Sequence, residues 1–134
     1  MWAKKLSASF RTWIEIDKKA AQRNIETFRK LLAPKTKLWS VVKSNAYGHG
    51  LFVFSKLAER MGVDGFCVDT IVEGLAMRRE GIKKPILILG FTLPKFLPEA
   101  HAKNIVATIS NFETLKAIRT VKNPPPFHIK IDSG

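Results

Sequence analysis

The chain has 134 residues, enough for one domain with its own core, and 46% are hydrophobic and 25% charged, the balance of a soluble globular protein. No apolar stretch approaches the ~20 residues of a membrane-spanning helix, and the start, Met1-Trp2-Ala3-Lys4-Lys5, has no apolar run behind its charge, so neither a membrane span nor a signal peptide is expected. A net charge of +12 would suit a nucleic-acid binder, but the basic residues come singly or in pairs (Lys4-Lys5, Lys18-Lys19, Arg78-Arg79) without a recognition motif, so no nucleic-acid partner is expected.

In chain order, Thr12–Ile16 alternates and is rich in β-formers, which predicts a strand. Asp17 is placed to cap a helix over Lys18–Leu32, with Ala21, Ile25, Phe28 and Leu32 on one face and Pro34 beyond its end. A buried strand is expected over Lys37–Val42. After Gly50, the residues Leu51, Phe54, Leu57, Ala58 and Met61 form a core-facing helical stripe closed by Gly62.

Gly65–Val68 reads as a short buried strand. Within it Cys67, the chain's single cysteine, is expected to be a small buried hydrophobe in a reduced, cytoplasmic protein. Thr70-Ile71-Val72-Glu73 has capping-box spacing and opens a helix to about Glu80. Ile86–Leu89 is the clearest buried strand, and Pro94 suits the first turn of a short helix ending near Asn104. Ile105–Ile109 is the next strand. Ser110-Asn111-Phe112-Glu113 reads as a second capping box, with Ser110 as cap and a helix to about Val121. A rigid Pro124-Pro125-Pro126 connector leads to a last strand, Phe127–Ile131.

From Lys37 onward, each 20–28 residues hold one strand and one helix, the rhythm of βα units around a parallel sheet. A doubly wound sheet and an arc of a TIM barrel both fit. A closed barrel needs eight strands and about 250 residues, and the chain ends on a strand and turn with no helix to cover it. The chain is therefore expected to be cut short.

Leu38–Gly50, LWSVVKSNAYGHG, stands apart chemically. Lys43 sits at the carboxyl end of an apolar run, where loss of water would lower a lysine's pKa and make it a nucleophile toward aldehydes. Gly48 and Gly50 permit a tight turn, and the helix start beyond favours an anion. An aldehyde bearing a phosphate, such as pyridoxal phosphate, fits this pattern. So does a lysine that merely snorkels to solvent.

The stretch Val41-Val42-Lys43-Ser44-Asn45-Ala46-Tyr47-Gly48-His49-Gly50 resembles the pyridoxal-phosphate signature of the alanine racemases, usually close to AVVKADAYGHG. Trp13–Asp17, Val72–Arg78 (similar to an E-G-x-x-L/M-R helix), Ile86–Gly90 and His128–Gly134 resemble further segments of that family. Ser44 and Asn45 depart from the usual Ala and Asp but leave the lysine and tyrosine in place.

The resemblance implies the N-terminal part of a (β/α)8 TIM barrel, truncated after about five barrel strands, with a C-terminal β domain lying beyond. It implies an enzyme that interconverts L- and D-alanine for peptidoglycan supply, with pyridoxal 5'-phosphate as cofactor and a cytoplasmic homodimer as the full-length assembly. Lys43 would hold the cofactor as an aldimine and act as one catalytic base, while Tyr47 would bond the cofactor phosphate. Val41 and Leu89 would line the floor beside the ring, and Lys130 matches a lysine carbamylated in many members, which orients an arginine. Read blandly, Tyr47 is a loop tyrosine, Val41 and Leu89 fill the barrel, and Lys130 pairs with Asp132. The second base, a partner subunit's tyrosine in the family, is not expected in this chain. Racemisation of another amino acid such as serine, or a non-catalytic cofactor-binding barrel, are the alternatives. The barrel-type amino-acid decarboxylases share a short V-K-x-N core but lack the continuation Tyr47-Gly48-His49-Gly50.

Overall fold

The computed structural model describes residues 11–134, so the basic start read for a leader lies outside the described residues. Asp17 caps the first helix as its sequence position suggests, its Oδ1 accepting the backbone N–H of Lys19 (2.8 Å) and Ala20 (3.1 Å). Helix α1 spans Lys18–Leu31 and ends with Arg29 and Lys30, cations beside the free carbonyls.

Five strands follow: β1 Trp39–Val41, β2 Gly65–Val68, β3 Ile86–Ile88, β4 Ile105–Ile109 and β5 Phe127–Ile129. All pair in parallel, in the spatial order β1-β2-β3-β4-β5. Sequence neighbours are thus sheet neighbours throughout. A doubly wound sheet reverses its order at a switch point, and this one does not. The order therefore decides for the barrel arc.

The crossovers carry α2 Leu51–Arg60, α3 Ile71–Arg79, α4 Leu97–Ala102 (after a 3-10 turn, Pro94–Phe96) and α5 Phe112–Thr120. One sheet face packs on them. Phe66, Val68, Ile86, Ile88 and Ile105 are fully buried there with Ala58, Met77 and Ala100. Burying each large apolar side chain is worth about 1.5–3 kcal/mol, which makes this layer the main source of stability. Alternation turns Val41, Cys67, Leu87 and Val106 to the other face in one row of the register. Cys67 is buried in that row, and desolvation pushes its thiol pKa up, as suits an inert cysteine. Gly65 is required by its neighbour, since a Cβ there would come within 2.7 Å of the Trp39 indole.

Three expectations need correction. Thr12–Ile16 forms no strand: no backbone ladder joins it to another described segment, and Trp13 and Ile14 remain exposed. β1 is not a buried strand: it is a sheet edge with one strand neighbour, and Val41 is 41% exposed. The cap of α5 is Asn111 rather than Ser110, because the Asn111 carboxamide reaches the Thr114 N–H at 2.8 Å.

The loops entering the strands are clamped by two arginines. Arg78 donates to the carbonyls of Ile82, Lys84, Lys103 and Asn104 at 2.7–2.9 Å, joining the entries of β3 and β4. Burial lowers its pKa, against the attraction of Glu59, but a guanidinium stays charged at neutral pH. Arg29 donates to Asp64 (2.6 Å) and to the Gly62 carbonyl (2.8 Å), and the same Asp64 oxygen accepts the Leu38 N–H at 2.6 Å.

For Asp64, desolvation would raise the carboxyl pKa, but the Leu38 N–H and the Arg29 guanidinium outweigh it and the net shift is downward. A carboxyl with a depressed folded-state pKa contributes stability that is complete above its unfolded pKa, about 4, and is lost as pH falls through the lower folded value. Urea titrations across acid pH are expected to show a steeper loss of stability below about pH 4 in the native chain than in Asp64→Asn.

Candidate functional site

β1 ends at Val41, and Val42 leaves the extended conformation (φ −126°, ψ 18°). Lys43–Tyr47 then makes one helical turn that is left-handed at Ser44 (φ 53°, ψ 53°), Asn45 (φ 57°, ψ 40°) and Ala46 (φ 52°, ψ 46°). Tyr47 keeps the same hand with φ 53°, and Gly48 and Gly50 follow at φ 93° and 90°. For L-residues this hand costs about 1–2 kcal/mol each, so such a run persists only where its surroundings hold it.

The holding groups are visible. The Ala46 N–H donates to the Val42 carbonyl at 2.9 Å, and the Asn45 carbonyl accepts from Gly48 (3.1 Å) and Gly50 (3.0 Å). Ala46 is buried in the helix-side core. Gly50 has no side chain to cap α2, and Asn45 supplies the cap instead, its Oδ1 accepting the Leu51 N–H at 2.8 Å. His49 bonds the Ala46 carbonyl through Nδ1 (2.9 Å) and tilts against the Phe54 ring at 5.8 Å. A single carboxylate reaches the turn from α3: Glu73 Oε1 accepts the Ser44 N–H at 2.7 Å. Its Oε2 accepts from Asp69 (2.9 Å) and Thr70 (3.2 Å).

This turn places Lys43 at the carboxyl end of β1, half-buried, with Tyr47 61% exposed one helical turn later. Among the described residues the ion pairs are Arg29–Asp64 and Lys56–Glu80, and neither involves Lys43 or Lys130. The bland pairing of Lys130 with Asp132 is therefore absent. Leu89, half-buried, continues the β3 ladder through its N–H to the Val68 carbonyl (2.8 Å), two residues beyond Leu87 on the face that also carries Val41. Lys130 is exposed just beyond β5, its N–H bonded to the Ile109 carbonyl at 2.9 Å, and it borders a separate hollow of about 190 Å³ beside Phe112 and Leu115. Lys43, Val41 and Tyr47 thus belong to one strand and its turn, Leu89 to the same sheet face, and Lys130 to the opposite edge. A larger open groove of about 640 Å³ runs along the β1 edge beside Trp39 and Val41, and Lys43 does not line it. No cluster of metal-ligating side chains occurs among the described residues.

Sequence reasoning missed Asn45 and the outward reach of Glu73. The signal for the first was available, since Asn tolerates the left-handed region better than most residues. The capping-box pattern found Glu73 but used only its bond back to Thr70.

The family model described as alanine racemase, N-terminal domain, matches residues 16–134. The chain belongs to the alanine racemase family. An alanine racemase from Lactobacillus acidophilus is 42% identical over 121 residues, covering 90% of this chain and 32% of the relative. The crystal structure of alanine racemase from Bacillus anthracis with bound L-Ala-P superposes with a TM-score of 0.85 at 32% identity, over 92% of this chain and 33% of that one. The five parallel strands and their helices match the N-terminal part of the alanine racemase TIM barrel. A histidine racemase from Leuconostoc mesenteroides also matches, with a TM-score of 0.69 at 30% identity, over 75% of this chain and 27% of that one. The chain spans about a third of the length of the curated relatives it matches.

Asn45 has two tasks, and they separate by substitution. Asn45→Ala removes the α2 cap and puts a less tolerant residue in the left-handed turn, with an expected cost of about 1–3 kcal/mol. Asn45→Gly removes the cap alone, because glycine accepts the backbone angle, so its midpoint in urea is expected to lie above that of Asn45→Ala.

Proposed function

We propose that this chain is the cofactor-binding N-terminal part of a cytoplasmic pyridoxal-phosphate-dependent alanine racemase, one incomplete barrel domain of a protein that works as a homodimer. The observation that carries the proposal is the left-handed turn after β1, which puts Lys43 and Tyr47 together at the carboxyl end of the sheet in a chain of this family. The residues fit the group. A half-buried lysine with no ion-pair partner among the described residues suits an aldehyde beside a phosphate, and the exposed Tyr47 suits the phosphate itself. Val41 and Leu89 supply apolar surface for a flat ring.

Once bound, pyridoxal phosphate supplies an electron sink for negative charge at the substrate's α-carbon. Lys43 Nζ holds the cofactor and then moves a proton at that carbon on one face. Tyr47 orients the phosphate end through its hydroxyl. Carbamylation of Lys130, which the family resemblance suggests, would turn its cation into an anion able to orient a cationic side chain. Inversion needs a second proton-transfer group on the opposite face, and the chain's one tyrosine, Tyr47, is already engaged. The segment alone therefore binds but does not racemise.

Alanine is the proposed substrate because the curated relatives are alanine racemases and one solved relative holds L-Ala-P. The histidine racemase match keeps a racemase of another amino acid as the second reading. Incubation with pyridoxal phosphate, borohydride reduction and peptide mapping are expected to label Lys43, and Lys43→Arg is expected to lose the label with the chain still folded by circular dichroism. Label at another lysine, or robust Lys43-dependent alanine racemisation by the purified 134-residue chain, would contradict this assignment.

A further inference from the structure

We propose that Glu73 is the positioning residue of Lys43, a clasp that holds the left-handed turn in the geometry the lysine needs. This rests on the function proposed for Lys43, but the clasp is described by geometry alone. A glutamate in a capping box needs one acceptor bond, to the N–H of the cap residue. Glu73 makes that bond to Thr70 and two more, to Asp69 and to Ser44, so its carboxylate gathers three amides from two separate loops. The shortest of the three, 2.7 Å, goes to Ser44. That amide belongs to the peptide joining Lys43 to Ser44, so the bond fixes the plane from which the lysine side chain departs.

The bond also falls where holding is most needed, because Ser44 is the first residue at which the backbone changes hand. The other end of the clasp is firm. Helix α3 is anchored by Ile71, Gly74 and Met77, all buried. The Gly74 position packs against Ile105 and Ile86 with no room to spare, a Cβ there lying 3.2 Å from Ile105 Cδ1. Glu73 thus transfers the position of a rigid helix to a strained turn on the neighbouring strand. A helix cap alone would give it no reason to cross from the β2 loop to the β1 loop.

The test uses the 134-residue chain with three changes: Glu73→Gln, Thr70→Ala, and Glu73→Gln combined with Ser44→Gly. Glutamine keeps the length of the side chain but has one acceptor oxygen and no charge, so the bond to Ser44 is lost or loses its charge assistance whichever loop that oxygen faces. Amide exchange without cofactor is expected to quicken at Ser44 by about tenfold to a hundredfold in Glu73→Gln, the range of a charge-assisted hydrogen bond. Thr70→Ala weakens the same helix start but leaves Ser44 unchanged. In the presence of pyridoxal phosphate, borohydride labelling of Lys43 is expected to slow roughly tenfold or more in Glu73→Gln. It is expected to recover when Ser44→Gly removes the cost of the left-handed angle, a rescue that a capping role does not provide. Unchanged Ser44 exchange in Glu73→Gln would overturn the proposal. So would equal effects of Glu73→Gln and Thr70→Ala on labelling, or labelling that falls only in proportion to the unfolded fraction. Quickened Ser44 exchange with no labelling of Lys43 even in the native chain would overturn it through the cofactor assignment, leaving the clasp as a structural contact only.

Discussion

Parallel pairing in strict sequence order is the constraint on which the other features rest. Each strand re-enters the sheet beside its predecessor and in the same direction, so all strand entries share one rim and all strand exits the other. The two rims are built differently. Both arginine clamps lie at entries: Arg78 gathers carbonyls before β3 and β4, and Arg29 with Asp64 ties α1 to the approaches of β1 and β2. The left-handed turn, Lys43 and Tyr47 lie at the exit of β1. Barrels commonly divide labour this way, with stability at the amino rim and chemistry at the carboxyl rim.

The strained turn is affordable because its surroundings are over-determined. The cost of several left-handed L-residues is met by carbonyl bonds within the turn, by the burial of Ala46, by the Asn45 cap on α2 and by the Glu73 carboxylate. These contacts arrive from Val42 just after β1, from α2 and from α3, and Val42, Leu51, Ile71 and Met77 of these parts all lie in the helix-side core. The geometry of Lys43 is thus coupled to core packing rather than to loop preferences. Strain retained in this run fixes the direction in which the half-buried Lys43 leaves the backbone.

The match to the alanine racemase family gives these contacts a common sense. The E-G-x-x-L/M-R segment supplies both Glu73, which reaches the exit of β1, and Arg78, which binds the entries of β3 and β4. One helix, α3, therefore links both rims of the sheet through residues five positions apart. Neither role depends on a neighbour in sequence, which is why the pattern alone suggested only a capped helix.

The sequence by itself determined the βα rhythm, the strand cores and the caps at Asp17 and Thr70, because periodicity and capping are local and act over a few residues. It also raised Lys43 as a candidate through its place at a strand end, and Tyr47, Gly48 and Gly50 through the resemblance of their stretch to the alanine racemase signature. The rhythm alone left a doubly wound sheet and a barrel arc open, since both share it and differ only in which strands become neighbours, whereas the resemblance to the alanine racemases pointed to the barrel and the strand order bears that out. The sequence misjudged Thr12–Ile16 and the burial of β1, because alternation and apolar runs record what a segment can bury and not whether a partner pairs with it. The hand of the turn after Lys43, and the carboxylate that holds it, were decided by tertiary structure: the Glu73–Ser44 bond spans 29 residues and exists only once β1 and β2 pair in parallel.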